Sequence, residues 1–396
     1  MPIDLKIAAR RLWNTPGFAF AALATLALCI GANLTIFAVV DALLIRSLPF
    51  PHADRLVTLY YVYPRMPSAR SGASLTNYYE RRGRIAALSS IAEISEDSTV
   101  VGDIGATSIE KVGRITPEFL STLGVAPLLG RAFREQELTY QTDQEAMLSY
   151  EFWKTHFNGD PGILGKSVRM DGINRRIVGV LPPEFRFLSF QAPVYMPLSS
   201  EEGEHNIGAR HSIGKIMVAR LADGATLAEA RGQTDALDAE LAPLFSDAKI
   251  VADSGCHTIV APLQSDFVAS ARPMVLSLQG GALLLLAVGG VNIVNLLLIR
   301  ASNRTRELAI RRALGANQRA IVRETMTETL LLTGIGGALG LGVGYSGIRL
   351  LAICGADTLP LGAGIAFNGA VAAAAVLGAL AIGCAVGAPV AWVSLH

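Results

Sequence analysis

Charged residues are scarce in this chain. They make up 17% of its 396 residues, whereas soluble domains usually carry about 25%. Hydrophobic residues reach 51%, and the mean hydropathy is +0.41. The net charge is only +1, because basic residues crowd into two short segments while most acidic residues lie in the centre of the chain. This pattern argues against a uniformly soluble protein and indicates alternation between membrane and water.

Cysteine is also rare, with four residues. No Cys or His pattern has the spacing of a zinc site, so no metal is expected. Cys29 and Cys384 lie in apolar runs, where a small buried side chain is the usual role. Cys256 and Cys354 both fall outside the cytoplasm in the topology predicted below. The sequence does not set the distance that a disulfide demands, so their pairing stays open.

Four uncharged stretches are long enough for a bilayer core, which takes about 20 helical residues. They are Phe18–Val40, Met274–Ile299, Thr329–Ile348 and Phe367–Val390. The first stretch follows Arg10-Arg11, and a basic pair before an apolar run is also typical of a signal peptide. A signal h-region is only about 7–15 residues long, however, and no small-residue cleavage site follows here. We therefore expect an uncleaved anchor and four transmembrane helices.

Arginine and lysine in the short loops predict the orientation. The N-terminal segment contains Lys6, Arg10 and Arg11, and residues 300–323 contain seven arginines. Residues 351–366, between the third and fourth predicted spans, contain no basic residue. The two basic segments are therefore expected in the cytoplasm, and the long insert of residues 45–272 on the outer side.

Short patterns in this insert predict an α+β domain. Strands are expected at Val57–Tyr63, Arg175–Leu181 and Ile213–Leu221, and a helix over Leu75–Arg82. A second helix should begin after Thr226, which forms a capping box with Glu229. Its apolar face has helical spacing and consists of Leu227, Ala230, Thr234, Leu237, Leu241 and Leu244.

Three features of the insert suggest chemistry but are better explained without it. Gly165-Lys166-Ser167 resembles the end of a phosphate-binding loop, yet Asp160 stands where the first glycine belongs. His205 and His211, beside Glu201, Glu202 and Glu204, suggest a metal site, but a solvated polar loop explains the same residues. Ser, His and Asp occur without a Gly-x-Ser-x-Gly elbow. We therefore expect no catalytic residue, and no enzyme activity in this chain.

The arginine-rich loop has the strongest functional pattern. Leu308, Arg311, Arg312 and Gly315 have helical spacing, and Gly315 is placed as a C-cap. A short basic helix of this kind can lie on anionic lipid or dock in a groove of a partner protein. Composition alone leaves a simple positive-inside anchor open.

Small and polar residues inside the spans predict helix packing. Gly336, Gly340 and Gly344 recur at every fourth position of the third span, a spacing that lets two helices approach closely. Asn33, Asn292 and Asn295 are polar residues in apolar spans. Interhelical hydrogen bonds are the preferred interpretation for them, ahead of a substrate path.

Several motifs resemble one known family, the MacB/FtsX-type ABC permeases. The segment Arg306–Ala316 (RELAIRRALGA) closely resembles the family signature. Further resemblance, in order along nearly the whole chain, lies in Asn14–Phe18, Gly31–Asn33, Leu48–Phe50, Ile115–Phe119, Leu123–Val125, Gly130-Arg131, Asp160-Pro161, Gly165-Lys166 and Val178–Pro182. The chain looks most like one half of the duplicated permeases of this family.

The resemblance implies four parts. They are a cytoplasmic segment (residues 1–16), a first transmembrane helix (17–44), a periplasmic core domain (45–272) and an FtsX-like permease domain (273–396) with a coupling loop at 300–325. The implied location is the bacterial inner membrane, with several spans. Its coupling residues would be Arg304, Arg306, Glu307, Leu308, Arg311, Arg312, Leu314 and Gly315.

The resemblance also implies a mechanism and partners. A separate cytoplasmic ABC ATPase dimer would bind ATP, and this chain would bind no cofactor directly. The ATPase stroke would pass through the spans to the outer domain and drive export or extraction of a peptide, lipid or small molecule. A second permease copy or paired permease half, the lipid bilayer and a periplasmic adaptor are further expected partners; nucleic acid is not.

Two points stay open at this stage. One alternative function is signalling, in which the same stroke activates a periplasmic hydrolase or reports an antibiotic. The other concerns the end of the chain, where family members usually continue into a basic tail but Pro389–His396 has no arginine. The chain would then be a shortened half, or would depend on a second permease subunit.

Overall fold

The computed structural model describes most of the chain in two compact units. The described residues are 10, 12–65, 70–102, 108–139, 144–183, 185–187, 192–199, 214–244, 249, 253–303, 318–355, 367–373, 377–378, 381 and 383. One unit contains the long apolar helices, and the other contains Ser47–Ala269. We call them the membrane unit and the outer unit.

Within the described residues, three helices of the membrane unit are long and apolar enough to cross a bilayer. Helix α1 (Pro16–Val40) has proline in its first turn, where the missing N–H costs no hydrogen bond, and continues into a π-helical turn at Asp41–Ile45. Helices α7 (Arg272–Asn303) and α8 (Gln318–Gly355) follow the outer unit in the chain. The candidate spans are Pro16–Ile45, Arg272–Ile299 and Thr327–Leu351.

The predicted fourth span lies only partly within the described residues. Residues 369–373 are helical, and so are isolated positions up to 383. The fourth transmembrane helix therefore stays a prediction.

The three helices share buried apolar side chains. One cluster contains Leu26 and Ile30 of α1, Ile293 and Leu297 of α7, and Leu332 of α8. A second cluster joins Leu34 and Ala38 of α1 to Ile348 of α8 and to Val371. Because lipid tails are as apolar as these side chains, close packing rather than hydrophobic transfer holds such a bundle together.

The outer unit is a mixed α and β domain around a single sheet. Its strands are β1 (Leu56–Val62), β2 (Arg70–Ser71), β3 (Leu88–Val101), β4 (Ser108–Ile115), β5 (Leu129–Gly130), β6 (Glu145–Leu148), β7 (Ser167–Met170), β8 (Ile173–Val180), β9 (Val194–Pro197), β10 (Ile216–Leu221) and β11 (His257–Pro262). Its α-helices are α2 (Leu75–Arg81), α3 (Phe119–Leu123), α4 (Tyr150–His156), α5 (Leu227–Leu241) and α6 (Leu263–Val268).

The sheet runs in the order β11-β1-β10-β3-β4-β9-β6-β8-β5, with β2 beside β1 and β7 beside β3 and β8. Most neighbours are antiparallel, and the pairs β4–β9 and β6–β8 are parallel. Two apolar clusters of the described residues pack against it. One lies under α2 and α5 and includes Tyr78 and Leu237; the other lies under α4 and includes Trp153 and Ile177.

Local sequence patterns predicted several of these elements correctly. The three expected strands correspond to β1, β8 and β10, and the expected helix over Leu75–Arg82 corresponds to α2. The capping box before α5 is also confirmed, since the Thr226 side chain accepts from the Glu229 N–H and the Glu229 carboxylate accepts from the Thr226 N–H. Four residues of the expected apolar face are buried: Ala230, Thr234, Leu237 and Leu241.

Candidate functional site: helix contacts of the membrane unit

The arginine-rich segment, residues 300–323, includes the end of one long helix and the start of another. Helix α7 ends at Asn303 and α8 begins at Gln318. The eight expected coupling residues, from Arg304 to Gly315, lie outside the described residues, so their role stays a prediction. What the structure describes is the pair of helices that flank them.

Helix α8 is much longer than a bilayer requires. Its 38 residues correspond to roughly 57 Å at 1.5 Å per residue, against a hydrocarbon core of about 30 Å. The candidate span within it begins only at Thr327. About 13 Å of continuous helix, which includes Arg319 and Arg323 of the arginine-rich segment, therefore precedes the apolar span.

Glycines bring α8 against α1. A Cβ atom at Gly340 would lie 2.7 Å from the Cβ of Ile30, which is closer than real side-chain contacts allow. The same holds along the stripe, where Cβ atoms at Gly336 and Gly344 would each lie 2.6 Å from a leucine. The leucines are Leu26 and Leu34 of α1. Only glycine permits this helix separation.

Two further glycines of this interface were not predicted to pack helices. A Cβ at Gly347 would lie 2.5 Å from the Thr35 hydroxyl oxygen, and a Cβ at Gly31 of α1 would lie 2.6 Å from Val343. Gly347 stands three residues after Gly344, and Gly31 is the partner helix's own glycine. A search for a four-residue repeat therefore passes over both.

Asn33 links α1 to α7 by hydrogen bonds. Its Nδ2 donates to the carbonyl oxygens of Ala282, at 2.6 Å, and of Cys29, at 3.0 Å. Its Oδ1 accepts from Nε2 of Gln279 at 3.5 Å. The expected interhelical role of Asn33 is thus confirmed.

The other two asparagines line a groove between α1 and α7. Asn292 and Asn295 are exposed and share the groove, of about 450 Å³, with Thr25 and apolar side chains. Their expected role in helix association stays a prediction.

The outer unit contains a buried charged cluster. The side chain of Arg81, only 2% exposed, donates to the Tyr61 hydroxyl at 3.0 Å and to Asp238 and Thr258 at 2.7 Å each. Burial acts to lower the pKa of Arg81, but Tyr61 and Asp238 outweigh it and the pKa is raised. These partners come from β1, α5 and β11, so the cluster joins elements of one core. Its geometry indicates a structural role, which is to hold these elements together.

The lysine of the segment Gly165-Lys166-Ser167, which resembles the end of a phosphate-binding loop, has a structural role. Lys166 forms an ion pair with Asp160, whose pKa is lowered chiefly by the hydrogen bond from this lysine. The group around His205 and His211 lies outside the described residues. Within the part of the chain that the structure describes, no group of three potential metal ligands occurs.

Two family models match the chain in succession. The MacB-like periplasmic core domain matches residues 19–237, and the FtsX-like permease C-terminal domain matches residues 280–396. The chain belongs to the MacB/FtsX family of ABC transporter permeases. It is accordingly a membrane permease, and its outer unit is a periplasmic domain.

Individual relatives agree with this assignment. A macrolide export ATP-binding/permease protein, MacB, from Bdellovibrio bacteriovorus is 25% identical over 65% of this chain and 40% of its own length. An uncharacterized ABC transporter permease, YknZ, from Bacillus subtilis is 43% identical over 19% of each chain. The chain spans about two fifths or less of the first MacB relatives it matches.

One solved structure matches part of this chain. It is the crystal structure of the periplasmic region of MacB from Actinobacillus actinomycetemcomitans, with a TM-score of 0.36 and 15% identity. The likeness covers 56% of this chain and 94% of that one. The family assignment rests on the family models and the relatives above.

Proposed function

We propose that this permease works by transmembrane mechanotransmission in an ABC transporter of the bacterial inner membrane. A cytoplasmic ATPase dimer binds residues 300–325, and its opening and closing move the ends of α7 and α8. The membrane helices carry this movement to the periplasmic domain. In this proposal ATP is bound by the ATPase, and this chain binds no cofactor directly.

The observation that carries the proposal is the unbroken length of α8. It begins at Gln318, within the arginine-rich segment, and runs through the whole candidate span. A continuous helix transmits a rigid-body displacement from one end to the other, whereas a break would absorb it.

The contact between α8 and α1 provides the next step. Glycine packing leaves no gap in which one helix could move without the other, because close-packed interfaces are poorly compressible. Helix α1 then continues through Asp41–Ile45 to Ser47, where the periplasmic domain begins. A displacement of α8 is thus passed to α1, and along the chain to the domain.

The transported substrate is proposed to be a small molecule, with a peptide or lipid as further classes. Two relatives support this choice, since they are named for macrolide export (MacB) and for pyoverdine export (PvdT of Pseudomonas fluorescens). Both names concern export, so export is preferred to signalling. A second permease copy, or a paired half, and a periplasmic adaptor complete the proposed assembly.

Charge reversal in the loop tests the coupling. We expect the Arg311→Glu, Arg312→Glu double variant to lose co-purification with the ATPase, and with it the stimulation of ATP hydrolysis. Lys111→Glu, at an exposed ion pair of the periplasmic domain, is the control for charge reversal away from the loop and should retain both. Unchanged co-purification of the double variant would remove the coupling role of the loop.

A pull-down with the periplasmic domain separates the two functions. Capture of an outer-membrane channel or adaptor supports export, whereas capture of a hydrolase contradicts it and supports signalling.

A further inference from the structure

Asp41 is a buried acid at the periplasmic end of the bundle. It is 4% exposed and is the first residue of the π-helical turn that ends the first span. Burial of an ionisable group beside hydrocarbon costs free energy unless the group is paired. The partners of Asp41 therefore indicate its role.

A local partner comes from the π-helical turn itself. The backbone N–H of Arg46 donates to the Asp41 carbonyl oxygen at 2.7 Å, five residues back. This wider turn brings the Arg46 guanidinium to 3.2 Å from the Asp41 carboxylate. The negative charge is thereby balanced within one segment of the chain.

A second partner comes from the other end of the sequence. Nδ2 of Asn368 donates to the same Asp41 oxygen at 2.8 Å. Because Arg46 already balances the charge, this bond is not needed for neutralisation. Its effect is to attach residue 368 to the end of α1.

Asn368 has a second task in its own segment. Its Oδ1 accepts from the Val371 N–H at 2.9 Å, which caps the helical turn of residues 369–373. Val371 is fully buried in the cluster that contains Leu34, Ala38 and Ile348. One amide side chain thus starts this helical turn and binds it to α1.

We propose that Asp41 and Asn368 form a polar joint that holds the start of the fourth predicted helix to the end of α1. Both are positioning residues: the joint makes the two segments move as one body where the chain enters the periplasmic domain. The mechanical part of this inference rests on the proposed function, whereas the joint itself does not.

Swapping the side chains of Asp41 and Asn368 tests the joint. Asn368→Asp retains the cap but removes the amide donor and places a second carboxylate beside Asp41. We expect hydrogen exchange of residues 367–373, in the full chain in nanodiscs, to accelerate about tenfold or more, as loss of a hydrogen bond to a charged group does. The Asp41→Asn, Asn368→Asp double variant re-forms the bond with donor and acceptor reversed, and should restore most of the protection.

The controls separate the joint from general damage to the bundle. Thr25→Val removes a side-chain hydrogen bond within α1 only, to the Ala21 carbonyl, and should leave exchange of residues 367–373 unchanged. The joint is refuted if Asn368→Asp exchanges like the parent chain, or if the double variant is no better protected than Asn368→Asp.

The mechanical role needs the complex with the co-purified ATPase. In the parent complex, ATP should change the exchange of β1, the first strand of the periplasmic domain. Asn368→Asp should keep ATPase association but lose at least half of this change, and the double variant should recover it. An ATP-dependent change that survives in Asn368→Asp refutes the mechanical role. Failure of the parent chain to bind an ATPase would instead refute the proposed function, and would not affect the exchange result for the joint.

Discussion

Two arginines at and shortly after the end of α2 illustrate how little a residue's type determines its role. Arg81 is 2% exposed and pairs with Asp238, whereas Arg84 is 40% exposed and pairs with Glu240. Both partners lie at the end of α5. A buried ion pair broken on one side leaves an uncompensated charge, while an exposed pair is screened by water.

Replacement of each arginine by methionine should therefore give unequal results. We expect Arg81→Met to lower the free energy of unfolding of the periplasmic domain by about 3 kcal/mol, because Asp238 and Thr258 lose a buried donor. Arg84→Met should cost about 0–1 kcal/mol. Urea unfolding of the two purified variants, followed by proteolysis of the domain, measures the difference; equal midpoints would contradict a structural role for the Arg81 cluster.

Among the helices, two glycines of α8 allow the effect of side-chain packing on stability to be separated from the effect of helix propensity. Gly340 faces Ile30 with no room for a methyl group, whereas nothing lies within 4 Å of a Cβ placed at Gly342. Both positions are interior to the same helix, so alanine alters their backbone propensity alike.

The matched pair Gly340→Ala and Gly342→Ala should thus differ in sign. We expect Gly340→Ala to destabilise the bundle by about 1–3 kcal/mol, since overpacking forces α1 and α8 apart. Gly342→Ala should be neutral or slightly stabilising. Thermal unfolding in detergent micelles checks this, and a tolerated alanine at Gly340 would show that the two helices are not in close contact.

For the whole molecule, the periplasmic domain has carboxylates whose charge favours the folded state. The pKa of Glu135 is lowered, chiefly by its hydrogen bond from Arg82, and the pKa of Asp160 is lowered chiefly by Lys166. A carboxyl whose pKa is lower in the folded than in the unfolded state stabilises the fold above the unfolded pKa of about 4. That contribution disappears as the pH falls through the folded pKa.

The domain should therefore keep its urea midpoint from about pH 7 to pH 5 and lose stability below about pH 4. Glu135→Gln should lower the midpoint at neutral pH and flatten its fall in acid, because the glutamine has no charge to lose. Glu151→Gln, on the exposed side of α4, is the single-charge control. If the urea midpoint of Glu135→Gln fell with decreasing pH as steeply as that of the parent, Glu135 would not contribute to the loss of stability in acid.

Local signals were enough for a large part of the description. Uncharged runs predicted the three spans that α1, α7 and α8 contain, and Thr226 with Glu229 predicted the start of α5. The motif at Arg306–Ala316 indicated the family that the family models show. Each of these depends on residues close together in the chain, where hydropathy and capping operate.

The sequence likewise predicts a charged run, Glu80-Arg81-Arg82, near a helix. It does not predict which arginine is buried. Asp238 lies 157 residues after Arg81. Burial of one guanidinium and exposure of the next depend on how α2 is turned over the sheet, and no local pattern contains that information.

The composition of the spans, their orientation signals and the family can be predicted from the amino-acid sequence, because each depends on residues within a short segment. Which distant groups meet depends on the folded structure: Gly340 with Ile30, Arg81 with Asp238, and Asp41 with Asn368. These pairs are far apart in the chain. They form because the packing of whole helices and strands brings their atoms within a few ångströms, a distance that only the folded chain specifies.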